Sequence, residues 1–168
     1  MGKFVFGVVV GVAGIVAGTY VYPHYGYMDM RADRPAGRIE QMYLNNAMDR
    51  YAERRAPGAR NPFRPTEPIL VDGIRLYRAN CAFCHGGAEK PVADMRFSPP
   101  APQFLKDAPD MPENQNFLII RDGIRMTGMP AWGKAMSDEE IWKLVTFLSA
   151  MEHIDTLPPA AQAAWKSK

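Results

Sequence analysis

Both cysteines of this 168-residue chain fall in one hexapeptide, Asn80-Cys81-Ala82-Phe83-Cys84-His85. A pair three positions apart cannot build a disulfide framework. A structural zinc site needs two further soft ligands, usually a second cysteine pair, and the chain has none. A thioredoxin-like dithiol needs a βαβ setting, which the flanking sequence does not offer. No strand-like alternation of useful length stands out. His24 and His153 have no partner motif. What remains for C-x-x-C-H is covalent attachment of one haem c. Cys81 and Cys84 add across its two vinyl groups as thioethers, within reach of one tight helical turn. His85 is then carried beneath the iron and supplies an axial nitrogen.

A six-coordinate electron carrier needs a second axial ligand. Met129, forty-four residues after His85, lies in the stretch Arg125-Met126-Thr127-Gly128-Met129-Pro130-Ala131-Trp132-Gly133. Met129, between a glycine and a proline, lies in a rigid turn suited to presenting a thioether. Met126 is its rival. The chain has eleven methionines, and most are expected as ordinary core or surface residues.

Residues 4–22, FVFGVVVGVAGIVAGTYVY, contain no charge over nineteen positions. As a helix they reach about 29 Å, close to a hydrocarbon core of roughly 30 Å. A cleaved signal peptide has a shorter apolar region and a better cut site than Val16-Ala17-Gly18. An uncleaved anchor over residues 1–23 is therefore expected, with Tyr20, Tyr22, Tyr25 and Tyr27 as an interfacial belt. Gly7, Gly11, Gly14 and Gly18 fall within roughly 60° of one another on that helix and would let a partner helix approach closely. Arg31, Arg34 and Arg38 after the segment favour an inward C-terminal side. Long domains translocate largely regardless of charge, however, and haem attachment is normally completed outside the cytoplasm. The expected placement is a single-pass protein of a bacterial inner membrane, with the haem domain in the periplasm.

Residues 24–65 read as a linker. A helix over 37–55 would bury Ile39, Met42, Tyr43, Ala47 and Tyr51. Four prolines in 56–68 suggest an extended semi-rigid spacer. Five arginines between Arg50 and Arg64, against Glu53 alone, could face anionic lipid, an acidic partner or only water. The formal charge of +2 is too small to argue for nucleic acid.

Around the haem motif the pattern is helical. Residues 68–80 run into it, with Gly73 and Tyr77 on one face. Residues 113–123 form a helix stopped by Gly123. Residues 137–151 open on a Ser137/Glu140 capping box and carry an Ile141, Leu144, Val145, Leu148 stripe. Gly73 would let the first and last of these helices cross closely, with Tyr77 and Phe147 filling the space. Over about residues 66–153 the chain resembles the class I c-type cytochromes, in the monohaem, membrane-anchored bacterial form. The resemblance rests on GIRLYRANCAFCHG, the prolines of FSPPAP, GMPAWG and DEEIWKLVTFL. It implies an all-α fold around one covalent haem, with the two end helices crossing. It also implies a loop-proline carbonyl accepting from His85 Nδ1, with Pro99, Pro100 and Pro102 as candidates. Trp132, Arg125 and Arg96 are candidates for the haem propionates or for surface and packing roles. Residues 154–168 remain as a tail whose Trp165 either folds back or touches a partner.

Two strong-field ligands leave no open site on iron, which favours outer-sphere, one-electron transfer over catalysis. The expected role is a subunit of a membrane redox complex, docked through the Gly7/Gly11/Gly14/Gly18 face and exchanging electrons with donor and acceptor proteins. A tethered shuttle on the proline spacer is the alternative. A haem enzyme or gas sensor with a labile Met129 is the third reading. No distal acid or base near Met129 supports it.

Overall fold

In the computed structural model, residues 1–31, 33–56, 58–88 and 97–167 are described, and among them there is no β-strand. The helices are α1 (Gly2–His24), α2 (Arg38–Arg55), α3 (Glu67–Asn80), α4 (Ala82–His85), α5 (Glu113–Asp122), α6 (Asp138–Ala150) and α7 (Pro159–Lys166). Short 3₁₀ turns cover Trp132–Lys134 and Met151–Thr156. The chain divides into two units, Met1–Ala32 and Asp33–Lys168.

The first unit is α1 and the turn behind it. The helix is long and apolar enough to cross a membrane, and none of its residues is buried within the protein. A Cβ built on Gly7, Gly11, Gly14 or Gly18 meets open space.

The second unit is organised about the crossing of α3 and α6. A Cβ on Gly73 would stand 2.4 Å from the Lys143 carbonyl oxygen and 2.8 Å from Phe147 Cβ. The two backbones therefore meet where only glycine fits. Tyr77, one turn on, packs edge-on against Phe147 at 5.4 Å between ring centroids. Lys143 binds Asp72 across the crossing at 3.3 Å. The apolar stripe of α6 is wholly internal: Ile141, Leu144, Val145 and Phe147 have no exposure.

α6 starts at a reciprocal cap. Ser137 Oγ accepts from Glu140 N–H at 3.3 Å, and Ser137 N–H donates to Glu140 Oε2 at 2.8 Å. The Ser137 backbone N–H, then its hydroxyl, holds the Glu140 carboxyl below its ordinary value. The stability lent by that carboxylate is full above the ordinary glutamate range and fades as pH falls through the lower folded value. Ser137→Ala removes the acceptor for an otherwise unpaired helix N–H. It should cost about 1 kcal/mol, read as a drop of about 4 °C in the melting temperature of the purified protein. An unchanged melt would show that the cap contributes nothing.

Two segments differ from the expectations, and the tail takes one of the two courses open to it. In α2 the inward face is Leu44, Met48 and Ala52, with Ala52 fully buried. Ile39, Met42, Tyr43 and Tyr51 are 45–79% exposed. The helix carries two apolar stripes, and the one with a small residue to meet α5 is the one buried. The proline segment is no free spacer. Asn61 Nδ2 donates to Thr146 Oγ1 at 2.9 Å and to Glu113 Oε1 at 3.3 Å, and Phe63 packs on the core. The tail also joins the core: α7 lies on α3, and buried Trp165 packs 5.8 Å from Tyr77 and 5.6 Å from Phe147. Arg78 ties down its end by donating to the Ala164 carbonyl at 2.7 Å and to Ser167 Oγ.

Candidate cofactor cleft

α3 delivers the cysteine motif directly from its C-terminus. Cys81 N–H still bonds to the Tyr77 carbonyl at 2.7 Å. Cys84 and His85 N–H then both return to the Cys81 carbonyl, at 3.0 and 2.9 Å. The motif is thus a single helical turn, α4, with two free thiols along it and an imidazole at its end. Tyr77 Oη donates to the Gly86 carbonyl at 2.7 Å and fixes the exit of that turn.

Residues 101–104 clamp the motif from the side. Phe104 N–H donates to the His85 carbonyl at 3.1 Å, and Gln103 Nε2 donates to the Cys84 carbonyl at 2.9 Å. The Phe104 ring stacks on the imidazole at 4.3 Å, with 5° between planes. His85 Nδ1 lies 2.9 Å from the Pro102 carbonyl oxygen. A carbonyl only accepts, so Nδ1 carries the proton and Nε2 keeps its lone pair. Nε2 has no hydrogen-bond partner among the described residues. Burial pulls the His85 pKa down, against a smaller upward pull from Pro102. The ring is therefore neutral at neutral pH, the form a metal ligand needs. Burial, with a smaller push from Cys84, raises the Cys81 thiol to about 12, leaving it an apolar wall rather than a thiolate.

Another wall comes from the turn after α5. Gly123 ends that helix at φ +70°, and a Cβ there would stand 2.7 Å from Pro130 and Ala131 backbone atoms. Ile124 N–H donates to the Met129 carbonyl at 3.2 Å, and Thr127 Oγ1 donates to the Ile124 carbonyl at 2.8 Å. The same hydroxyl accepts from Met129 N–H at 3.0 Å. Met129 is thereby held from its own backbone. Cys81, Cys84, His85, Met129 and Trp132 all line one cavity of about 300 Å³, closed at depth by Ile120, Leu144 and Leu148. No cluster of three or more His, Cys, Asp or Glu exists among the described residues.

The family described as cytochrome c oxidase, cbb3-type, subunit III matches residues 70–148, from within α3 to within α6. Over those residues the chain carries a monohaem c-type cytochrome domain. No curated protein matches it. A solved chain of the Kuenenia stuttgartiensis reducing HAO-like protein complex is similar at 24% identity and a TM-score of 0.44, over 60% of this chain and 54% of that one. The cytochrome thus spans about half the length of the solved chain it matches.

Such a domain implies a covalently bound haem c, and the cleft suits one: two thiols on one turn, an imidazole nitrogen without a hydrogen-bond partner among the described residues and a surrounding apolar wall. The hydrogen bond to His85 is made by Pro102, not Pro100, though Pro100 also lines the cavity. The reason is the path of the loop, which brings residues 102–104 alongside Cys84 and His85. Arg125 is not part of the cytochrome's cavity wall. The bonds closing the 124–129 turn leave residues 125 and 126 exposed, and Met126 sits at φ +62° with 71% of its surface open. Arg96 lies outside the described residues. The reading from sequence misses Met48, Met111 and Asn116, all of which line the cavity. Asn116 is detectable as a polar residue in the apolar face of α5, and its Nδ2 donates to the Met111 carbonyl at 2.9 Å.

Proposed function

We propose that this cytochrome is a one-electron relay with His85 and Met129 as axial ligands, Cys81 and Cys84 as covalent anchors, and a fixed place in a redox complex at the outer face of a bacterial inner membrane. The observation that carries this reading is the cavity that joins the carbonyl-oriented His85 to the backbone-held Met129. The haem iron would supply reversible Fe(III)/Fe(II) exchange. The protein supplies the rest. Pro102 and Phe104 set the imidazole plane, a hydrogen bond that also makes its nitrogen a better ligand. The Thr127 hydroxyl fixes the turn that presents Met129. Ile120, Leu144 and Leu148 keep water from the deep side of the cleft. Thioether ligation and burial both favour the reduced form, so the potential should be positive.

Placement in a complex is supported by two features. The proline segment is pinned to the core by Asn61 rather than free to swing. α1 offers an open glycine face for another helix. The matching family's description also names an oxidase subunit.

Gentle detergent purification from native membranes tests the reading, followed by acid denaturation and organic extraction of the red fraction. Colour should remain with the polypeptide, and other redox subunits should travel with it. Colour passing into the solvent would overturn the covalent assignment. A solitary chain would favour the tethered shuttle instead.

A further inference from the structure

The family match begins at Leu70, yet one cavity-lining side chain comes from well before it: Met48, on α2. Leu44, Met48 and Ala52 are four apart and form one stripe along that helix. Leu44 and Met48 are half-buried, and Ala52 is fully buried. α2 lies against α5, which gives Asn116, Ile119 and Ile120 to the same cavity. Tyr51 Oη donates to Asp122 Oδ2 at 3.1 Å and fastens α2 to the end of α5. The small Ala52 brings the two helices together, and Met48, one turn earlier, is what α2 contributes to the cleft.

We propose that Met48 is a positioning residue for the redox centre: its apolar side chain closes one edge of the cleft to water, which makes α2 a working part of the cytochrome. This rests on the reading that the cavity holds haem c. The oxidised and reduced forms differ by one charge, and water at the cleft edge stabilises the more charged oxidised form. Sealing that edge raises the potential, because burial and local dielectric are among the levers a protein has on a haem. Met48 does this by exclusion and not as an iron ligand. It stands on a surface helix without the backbone clamp that holds Met129. Methionine suits the task, since a flexible thioether fills an irregular gap between a helix and a flat group.

The test uses the full-length protein carrying Met48→Leu, Met48→Ala or Met48→Gln. Each variant is followed by equilibrium redox titration, covalent haem content, thermal melting and the optical signature of sulfur ligation. Met48→Leu keeps the apolar bulk and should hold the wild-type potential. Met48→Ala and Met48→Gln should shift it downward, with haem content and the sulfur signature unchanged. A role confined to core packing would move the melting temperature and leave the potential alone, and that result overturns the proposal. So does a Met48→Leu potential that falls as far as that of Met48→Gln. If the wild-type protein itself carries no covalent haem, the parent reading fails and the proposal with it. Unmoved potentials on a protein with intact haem defeat the seal alone.

Discussion

Gly73→Val should cost roughly 3 kcal/mol or more, at or beyond the top of the usual range for overpacking. In a free helix the change would be favourable by a few tenths of a kcal/mol, because glycine is the poorest ordinary helix former. The sign reverses here because of what a Cβ meets. The Lys143 carbonyl oxygen would stand at 2.4 Å and Phe147 Cβ at 2.8 Å. Neither belongs to the far end of a flexible side chain, so relief requires α3 and α6 to separate. Separation loosens the Tyr77–Phe147 contact and the Lys143–Asp72 ion pair together. It also disturbs α7, whose Trp165 packs on Tyr77 and Phe147. α3 runs straight into Cys81, so the same movement displaces the cysteine turn. A fall of about 10 °C in melting temperature is expected, along with a lower yield of haem-loaded protein. Gly73→Ala should show the same effects in weaker form. A Gly73→Val protein that melts like wild type would mean that the helices do not cross at this contact.

The Gly73 crossing is readable from sequence because the signal is local. A glycine inside an amphipathic helix needs a reason, and an aromatic residue one turn on supplies it. The α6 stripe is readable for the same kind of reason: Ile141, Leu144, Val145 and Leu148 offer one apolar face. The cysteine turn is readable because five adjacent residues carry the whole pattern. What stays hidden depends on partners distant in sequence. α2 has two apolar stripes, and only the presence of α5 selects Leu44, Met48 and Ala52. Three prolines near His85 are chemically equal acceptors until the loop path places Pro102 opposite Nδ1. Asn61 looks like part of a spacer until Thr146 and Glu113, 85 and 52 residues away, are folded beside it. Trp165 sits in an alanine-rich tail, and its burial follows from the surface left open by Tyr77 and Phe147. Arg125 is an attractive anion partner on paper, but the closure of its own turn leaves it exposed.

Met129→His should lower the reduction potential by a sizeable part of the roughly 0.8 V range that axial ligands span, while covalent haem remains in place. In the proposed arrangement the two thioether bonds would depend on Cys81 and Cys84 and not on the residue at 129, so attachment and ligation separate in this variant. The fall follows from ligand chemistry: a thioether favours the reduced iron relative to a second imidazole. The local backbone should tolerate the change, because the turn is closed by main-chain atoms and the Thr127 hydroxyl, none of which belongs to the Met129 side chain. Met126→Leu is the matched control, since Met126 is 71% exposed and outside the cavity wall, and it should leave the potential unchanged. Met48 and Met111 also reach the cavity and make the comparison discriminating. If either supplied the sulfur, Met129→His would leave both the potential and the sulfur signature in the optical spectrum as they are in wild type. That outcome would remove Met129 from the iron and direct the search to those two residues.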